Sequence, residues 1–238
     1  MRQLLPTYAD EVDLQTAYAY PADGPWLRAN MVSSLDGSAV RNGRSGGLGG
    51  PADKAVFDTL RALCDAVVVG AGTARTEGYR APREKAELAD ERQRRGQLRA
   101  PVLVLVTQRL DLDPVSDLFT GAERTIVVTS ETSDAGRRER VADVADLVVS
   151  GVDAVDVGAA VDSLVDRGLT RLLCEGGPSL LAAVAAAGWL DELCLTVSPQ
   201  LVGGDGTRIV RGAELDLQMR PAHLLEQDGV LLGRYVRA

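Results

Sequence analysis

Runs of consecutive apolar residues alternate with segments of helical spacing along most of the chain. Continuous apolar runs are typical of strands that are covered on both faces. They predict strands at residues 27–32, 66–69, 102–106, 125–129, 147–149, 170–174, 193–197 and 230–236. Apolar spacing and helix start and stop residues predict helices at about residues 51–63, 135–145, 156–167 and 178–187.

The order of these elements defines the expected fold class. Strands that alternate with helices predict an α/β protein with a mainly parallel central sheet and helices on both faces. The final strands follow one another without a clear helix between them, so we expect antiparallel strands at the C-terminal edge. We expect a single domain over residues 26–238, preceded by a loop-like segment, residues 1–25, that wraps the body.

The composition is that of an ordinary globular protein, with 45% hydrophobic and 25% charged residues in 238. The net charge of −8 argues against a nucleic acid or an anionic membrane as partner, because both favour a basic surface. It leaves room for an anionic small molecule, which needs only a few local cations and backbone N–H groups. No apolar stretch is long enough to span a membrane or resembles a signal peptide, so we expect a cytoplasmic protein.

The cysteine and histidine inventory limits the chemistry. Cys64, Cys174 and Cys194 are scattered in apolar surroundings, which predicts buried free thiols rather than disulfides or a zinc site. His223 is the only histidine, so a catalytic triad or a histidine-rich metal site is excluded, and we expect His223 to be structural or exposed. Any difficult chemical step must therefore come from an organic cofactor, with carboxylates and positioning supplied by the protein.

The most informative segment is the loop C-E-G-G-P-S, residues 174–179, between a predicted strand and a predicted helix. Gly176 and Gly177 allow the backbone to come close to a ligand, and Pro178 suits the first helical turn. The free N–H groups of the helix start favour a phosphate, so we expect Glu175 to face another part of the ligand. An ordinary tight turn would explain this segment equally well if it stood alone.

A second glycine loop, in residues 65–74, favours the ligand-binding interpretation. Gly70 and Gly72 directly follow a buried strand, and the Thr73 hydroxyl is available for a phosphate. Arg75 stands where a third glycine would complete the G-x-G-x-x-G fingerprint, which disfavours a standard Rossmann dehydrogenase. Two glycine turns at the carboxyl ends of parallel strands still predict a dinucleotide crevice.

A third segment is N-M-V-S-S-L-D-G, residues 30–37, in which a strand ends in two serines before Asp36. Alone, it is typical of a turn in which the aspartate bonds its own backbone. Taken with four other segments, it resembles the reductase domain of riboflavin biosynthesis. Those segments are D-A-V-V-V-G-A-G-T, E-G-G-P-S-L, L-D-E-L and S-P-Q-L-V-G-G. That family has a dihydrofolate-reductase-like fold, and the resemblance runs from about Trp26 to Val236.

The resemblance implies an NADPH-dependent reduction of 5-amino-6-(5-phosphoribosylamino)uracil to the ribitylamino product by a homodimer. It places Asp36 and Glu175 at the reacting sugar as candidate catalytic residues. It places Asn30, Ser45 and Arg61 on the substrate, and Lys54, Arg75 and Arg80 are candidate phosphate contacts. The residues that would hold NADPH are Ser33, Gly70, Gly72, Thr73, Thr107, Gly176, Gly177, Pro178 and Ser179, with Arg109 near Thr107 at the adenosine end.

Departures from the family pattern leave the substrate open. Asn30 stands where many relatives carry lysine, Gly47 stands where tryptophan is common, and residues 76–80 differ from the usual acidic-acidic-proline run. The zinc deaminase motif that is often fused to this reductase is not found in the chain. Two alternatives therefore remain: a reductase of the same fold that acts on dihydrofolate or another pterin, and a non-catalytic NADPH-binding protein.

Overall fold

The computed structural model of the chain covers Met1–Ala238 and is organised around one ten-stranded sheet. The strands are β1 (Arg2–Leu5), β2 (Trp26–Ser33), β3 (Ala66–Gly70), β4 (Val102–Val106), β5 (Ile126–Thr129), β6 (Asp146–Val149), β7 (Arg171–Cys174), β8 (Glu192–Val197), β9 (Met219–Gln227) and β10 (Val230–Arg237). The helices are α1 (Leu14–Ala17), α2 (Pro51–Leu63), α3 (Ala71–Glu77), α4 (Ala89–Arg94), α5 (Ala135–Ala142), α6 (Val157–Asp166) and α7 (Pro178–Ala186).

The sheet has the order β1-β9-β10-β8-β2-β7-β3-β4-β5-β6. From β8 to β6 in this order, each strand is parallel to the next, whereas β8 is antiparallel to β10 on its other side. Strands β1, β9 and β10 pair antiparallel at the other edge, where a hairpin replaces the crossover helix. The predicted α/β class, with a mainly parallel sheet and antiparallel C-terminal strands, is confirmed.

The central strands are apolar throughout because both faces of the sheet are covered. In β3, Val67 and Val69 face a core formed with α2, whereas Ala66 and Val68 face a second core formed with α6 and α7. All four residues are buried. Period-two alternation places a strand's side chains on opposite faces, so a strand between two helical layers needs apolar residues at every position.

The structure differs from the sequence prediction at the two ends of the chain. The segment 1–25 was expected to be a loop, but β1 pairs with β9 and Leu14–Ala17 is a short helix. Strand β9 was not predicted, because M-R-P-A-H-L-L-E-Q contains a proline and lacks clean alternation. Neither strand carries a local signal, and both are stabilised by pairing with a neighbour distant in sequence.

A buried ionic cluster ties the N-terminal segment to the sheet. Arg28 on β2 is fully buried and pairs with Glu192 on β8, with Nε to Oε1 at 2.5 Å. Arg234 on β10 donates to the same carboxylate at 3.0 Å. The Arg28 guanidinium also donates to the Tyr18 carbonyl and lies 4.2 Å from the centre of the Tyr20 ring. The cluster therefore fixes the N-terminal segment against the β2, β8 and β10 strands.

The cysteines and the histidine lie inside the protein. All three cysteines are buried free thiols, as predicted, and burial raises the pKa of both Cys64 and Cys174 to about 12. His223 is buried with its ring edge-on to Tyr18, at 4.8 Å between centroids, and burial lowers its pKa to about 4. The longest helix has 13 residues, and none has the length and apolar character to cross a bilayer.

Candidate functional site

Two cavities meet at the edge of the sheet where the parallel strands β2, β3, β4 and β7 end. The larger cavity, of about 760 Å³, lies between the end of β2, the start of α2 and the start of α3. The smaller cavity, of about 580 Å³, lies between α3, the end of β4 and the start of α7. Both are lined by Gly72, Thr73, Gly177 and Pro178, so the two glycine loops form the junction. This is the crevice that the sequence predicted for a ligand at the strand ends.

The two glycine loops are bonded to each other through the backbone. The Gly70 N–H donates to the Gly176 carbonyl at 2.8 Å, and the Glu175 N–H donates to the Val68 carbonyl at 2.9 Å. A Cβ on Gly177 would lie 2.5 Å from the Thr73 Oγ1, which is closer than a carbon atom can approach. A side chain at residue 177 would therefore force the Thr73 hydroxyl out of its place between the loops, apart from any contact with a ligand.

Helix α7 begins at this junction with Gly177 as its N-cap residue and Pro178 in its first turn. No side chain caps the helix start, so its first N–H groups face the cavities without an intramolecular partner. Helix starts of this kind favour negatively charged groups. The junction is suited to the phosphates of a dinucleotide that occupies both cavities.

Glu175, the first residue after β7, is held in a bidentate ion pair at the wall of the larger cavity. Its two carboxylate oxygens accept from Arg61 Nε and Nη2, each at 2.7 Å, and Oε2 also accepts from the Tyr79 hydroxyl at 2.6 Å. The Glu175 side chain is 3% exposed and that of Arg61 27%. Burial and the neighbouring Glu175 raise the pKa of Tyr79, which keeps that hydroxyl a donor. The carboxylate has one fixed orientation.

The Arg61 guanidinium is itself held by aromatic rings. It lies 4.3 Å from the centre of the Phe57 ring, one turn earlier on α2, and 5.1 Å from the centre of the Tyr79 ring. Such cation–π contacts restrict the arginine side chain and add stability in desolvated places. Arg61 lies behind Glu175 and lines a separate small cavity, so its contact with the substrate stays a prediction.

The remaining wall of the larger cavity comes from the loop before α2 and the end of α3. Asn30, Ser45 and Lys54, all predicted to face the substrate or its phosphate, line this cavity. The Ser45 N–H donates to the Glu77 carboxylate at 2.8 Å, which ties the glycine-rich loop to α3. Lys54 extends into solvent and pairs with Asp58 at 2.7 Å.

Asp36 lies outside both cavities. Its carboxylate accepts from the Ser34 hydroxyl and from the N–H groups of Gly203 at 2.7 Å and Val202 at 3.2 Å. These bonds, led by that from Ser34, lower the pKa of Asp36 to about 2. The geometry favours a role in anchoring the 202–203 loop, and a catalytic role for Asp36 stays a prediction without support from cavity geometry.

The smaller cavity contains the residues predicted for the adenosine end of the cofactor. Thr107 and Arg109 line it directly after β4, and Arg75 lines it from α3. The Arg75 guanidinium donates to the Asp111 carbonyl at 2.6 Å, so it is partly committed to the protein. Most of the predicted cofactor residues lie along this cavity, namely Gly70, Gly72, Thr73, Thr107, Gly177, Pro178 and Ser179.

Three of the other predicted residues are not on either cavity wall. Ser33 is buried, and its carbonyl accepts from the Ser198 N–H at 2.8 Å. Gly176 lies behind the junction, where a Cβ would meet the Met31 sulfur at 3.2 Å. Arg80 lies on the small third cavity and pairs with Asp117 at 3.1 Å.

Sequence reasoning missed Asp53 on the wall of the larger cavity and gave no individual role to Thr76, Glu77 and Tyr79 on the same wall. Residues 76–80 were expected on the substrate side as a departure from the family pattern, and Glu77 and Tyr79 both bond residues of the predicted site. Asp53 reads in the sequence as an ordinary acidic residue in the first turn of a helix. Only its exposure to the cavity distinguishes it from Asp58 on the same helix.

The fold and site define a class of protein: an α/β protein with a dinucleotide-type crevice beside a second, carboxylate-lined cavity. The model of the RibD C-terminal domain family matches residues 25–232. The chain therefore belongs to that family, the pyrimidine reductases of riboflavin biosynthesis.

The individual relatives agree with this assignment. The 2,5-diamino-6-ribosylamino-4(3H)-pyrimidinone 5′-phosphate reductase of Archaeoglobus fulgidus is 28% identical, and the alignment covers 86% of this chain and 94% of that one. The riboflavin biosynthesis protein RibD of Bacillus amyloliquefaciens is 25% identical, and the alignment covers 53% of its length. The crystal structure of a pyrimidine reductase-like protein from Corynebacterium diphtheriae has a TM-score of 0.85 at 27% identity, covering 94% of this chain and 98% of that one.

Proposed function

We propose that the protein is an NADPH-dependent reductase that converts 5-amino-6-(5-phosphoribosylamino)uracil into the ribitylamino product. The observation that carries the proposal is the immobilised Glu175 carboxylate, which lines the larger cavity directly beside the glycine junction. A polar acceptor in a fixed position next to a dinucleotide crevice is what a reductase of a hydroxylated sugar requires.

The residues of the smaller cavity fit NADPH. The uncapped N–H groups at the start of α7 and the Thr73 hydroxyl would bind the pyrophosphate. Thr107 and Arg109 would contact the adenosine half. The nicotinamide end would then reach the junction and open onto the larger cavity. NADPH supplies the hydride when it is bound, which accounts for a site without a histidine or a nucleophilic cysteine.

The protein's own share of the reaction is to open and orient the sugar. Ring opening breaks the bond between the sugar C1 and its ring oxygen, that oxygen takes up a proton, and the nitrogen attached to C1 forms a C=N double bond as it loses its own proton. C1 then accepts the hydride and the nitrogen takes up a proton again. Glu175 would accept a hydrogen bond from a sugar hydroxyl, with Arg61 and Tyr79 keeping its carboxylate aligned. Lys54 and the loop at Ser45 line the same cavity and would meet the substrate phosphate.

A second candidate substrate is the diamino form of the same pyrimidine, in which the ring has not been deaminated. The observation that favours it is the function of two relatives that align over 94% and 95% of their own lengths. Both are 2,5-diamino-6-ribosylamino-4(3H)-pyrimidinone 5′-phosphate reductases. The reaction at the sugar is the same for the two rings.

The test is to follow the loss of NADPH absorbance with the uracil compound, the diamino compound and dihydrofolate in parallel. Turnover of either ribosylaminopyrimidine supports the proposed function and identifies the ring. Turnover of dihydrofolate alone would replace the proposal with a pterin reductase. Binding of NADPH without turnover of any of the three would leave a nucleotide-binding protein.

The proposal includes a cytoplasmic homodimer, as expected from the family resemblance. The three free thiols are suited to a reducing compartment. Light scattering coupled to size exclusion would give the mass of the assembly, and the mass of one chain, 25.2 kDa, would contradict the dimer.

A further inference from the structure

Asp53 is a carboxylate of the larger cavity to which the proposed reaction gives no role. It lies in the first turn of α2 and lines the cavity. The other two carboxylates on this wall are already engaged: Glu175 by Arg61, and Glu77 by the Ser45 N–H. The lysine next to Asp53 in sequence does not neutralise it, because Lys54 pairs with Asp58 on the exposed side of the helix.

The carboxylate of Asp53 lies between the loop before α2 and the β8 strand. A Cβ on Gly49 would lie 2.6 Å from Asp53 Oδ2, so a side chain at residue 49 would displace this carboxylate. Burial raises the pKa of Asp53, and the neighbouring Thr196 side chain on β8 opposes the shift.

A second acceptor in the same cavity also lacks a donor. Asn30 Oδ1, at the end of β2, is buried and has no hydrogen-bond partner. A buried polar atom without a partner costs stability unless a ligand satisfies it. The two acceptors therefore indicate a ligand that presents N–H donors to this cavity, in contrast to the cation-rich requirement of a phosphate.

We infer that Asp53 recognises the pyrimidine ring by accepting two parallel hydrogen bonds from a ring N–H and an adjacent amino group, and so selects a 2-amino-4-oxo ring. This inference rests on the proposed reduction at the sugar, because it assigns the ring to the larger cavity, and of the two candidate substrates it selects the diamino compound over the uracil compound. Paired donors on a planar N–C–N edge match a carboxylate in the same bidentate manner as a guanidinium does.

The chemistry of the two candidate rings makes the selection sharp. In the diamino compound, the edge across from the sugar-bearing nitrogen carries the N3–H and the 2-amino group side by side. In the uracil compound, the same edge carries one N–H between two carbonyl oxygens. A carboxylate oxygen of Asp53 would then face a carbonyl oxygen of the ring, and two acceptors repel each other. A site built to bond a donor rejects an analogue that lacks it by a large factor, because its own polar groups are left unpaired.

The substitution Asp53→Asn tests the inference, because the amide offers one donor and one acceptor and so matches the uracil edge. We expect kcat/KM for the diamino compound to fall by about 100-fold or more, while that for the uracil compound stays within about tenfold or rises. Asp58→Asn is the matched control, since it changes the same group on the exposed side of the same helix. An equal loss for both compounds, or no loss for either, would overturn the selection.

A second variant leaves the carboxylate in the protein and displaces it. Gly49→Ala places a Cβ against Asp53 Oδ2, so we expect it to lower kcat/KM for the diamino compound selectively, as Asp53→Asn does. Dihydrofolate presents the same 2-amino-4-oxo edge and serves as a third assay, which separates a pterin from a ribosylaminopyrimidine as the source of that edge. Normal activity of Gly49→Ala with the diamino compound would contradict the assigned position.

Direct binding separates this inference from the proposed reaction. Calorimetry with the diamino compound and NADP⁺ measures ring recognition without any turnover. If the wild type reduces none of the three compounds but binds the diamino compound about 100-fold more tightly than Asp53→Asn does, the reaction is wrong and the recognition stands. Equal affinities of the wild type and the variant would overturn the recognition whatever the activity.

Discussion

The ion pair between Arg61 and Glu175 gives the sharpest prediction about the candidate site. Removing the cation by Arg61→Met leaves the Glu175 carboxylate with the Tyr79 hydroxyl as its remaining side-chain donor, in a position where it is 3% exposed. The variant therefore leaves a buried carboxylate without its cation. This destabilises the fold, because a buried charge without a partner is poorly solvated.

The magnitude follows from the geometry. Removing one partner of a buried ion pair costs about 3–5 kcal/mol of unfolding free energy. The Arg61 side chain is 27% exposed, so water can replace part of its contribution, and we expect about 3 kcal/mol. The bidentate pairing also predicts that Arg61→Lys, which keeps the charge and loses the second bond, costs less than Arg61→Met.

Denaturant unfolding of four proteins measures this effect: the wild type, Arg61→Met, Glu175→Gln and the double variant. The double variant removes the charge that Arg61→Met leaves unpaired, so it should be more stable than Arg61→Met alone. Arg61→Met should also lower kcat/KM, because the Glu175 carboxylate loses the bidentate partner that fixes its orientation.

Two results would refute this reasoning. Additive free energies in the double variant would show that the two side chains are not coupled despite their 2.7 Å contacts. Full activity of Arg61→Met would show that the alignment of Glu175 is not needed for turnover. The Arg61→Lys variant controls for the loss of packing against Phe57.

Three further predictions concern the junction, the 202–203 loop and the buried histidine. Gly177→Ala should weaken NADPH binding in a fluorescence titration, since its Cβ would lie 2.5 Å from the Thr73 hydroxyl. The double variant Gly177→Ala/Thr73→Ala should recover part of the lost affinity, and full binding by Gly177→Ala alone would contradict the packing. Asp36→Asn should lower the thermal midpoint, because the carboxylate bonds the 202–203 loop. It should reduce kcat/KM by far less than the roughly 10²–10⁴-fold that is lost when a proton-transfer group is removed, and a loss of that size would show that Asp36 is catalytic. The pKa of His223 is about 4 in the folded protein, below its ordinary 6.5, because burial disfavours the charged ring. The stability that comes from burying the neutral ring is therefore complete above pH 6.5 and is lost as pH falls toward 4. Over that range the wild type should lose up to about 3 kcal/mol more than His223→Gln, and parallel curves of unfolding free energy against pH would contradict this.

Much of the central fold could be predicted because local pattern and tertiary environment agree there. The run at residues 66–69 is apolar at every position and lies between two helical layers, as expected for a parallel strand. The helix at residues 51–63 was predicted with its observed bounds, from apolar spacing and the proline in its first turn. The glycine loops at residues 70–73 and 176–177 were identified because few backbone arrangements require glycine so close to a helix start.

The edge of the sheet and part of the site could not be predicted, because they depend on partners distant in sequence. Strand β9 contains Pro221 and reads as irregular, but its pairing with β1 and β10 satisfies the backbone. Asp36 follows a strand in a turn motif and was expected at the reacting sugar, whereas the 202–203 loop supplies the N–H groups that bind it.

The sequence by itself determined the α/β class, the glycine junction and the presence of a carboxylate directly after β7, because each depends on residues that are neighbours in the chain. The tertiary structure alone decided which polar groups face the larger cavity. Asp53 and Asp58 lie five positions apart on one helix, and only the packing of that helix places the first on the larger cavity beside Gly49 and the second beside Lys54. Helical periodicity gives a residue its face, but what that face meets is set by long-range packing.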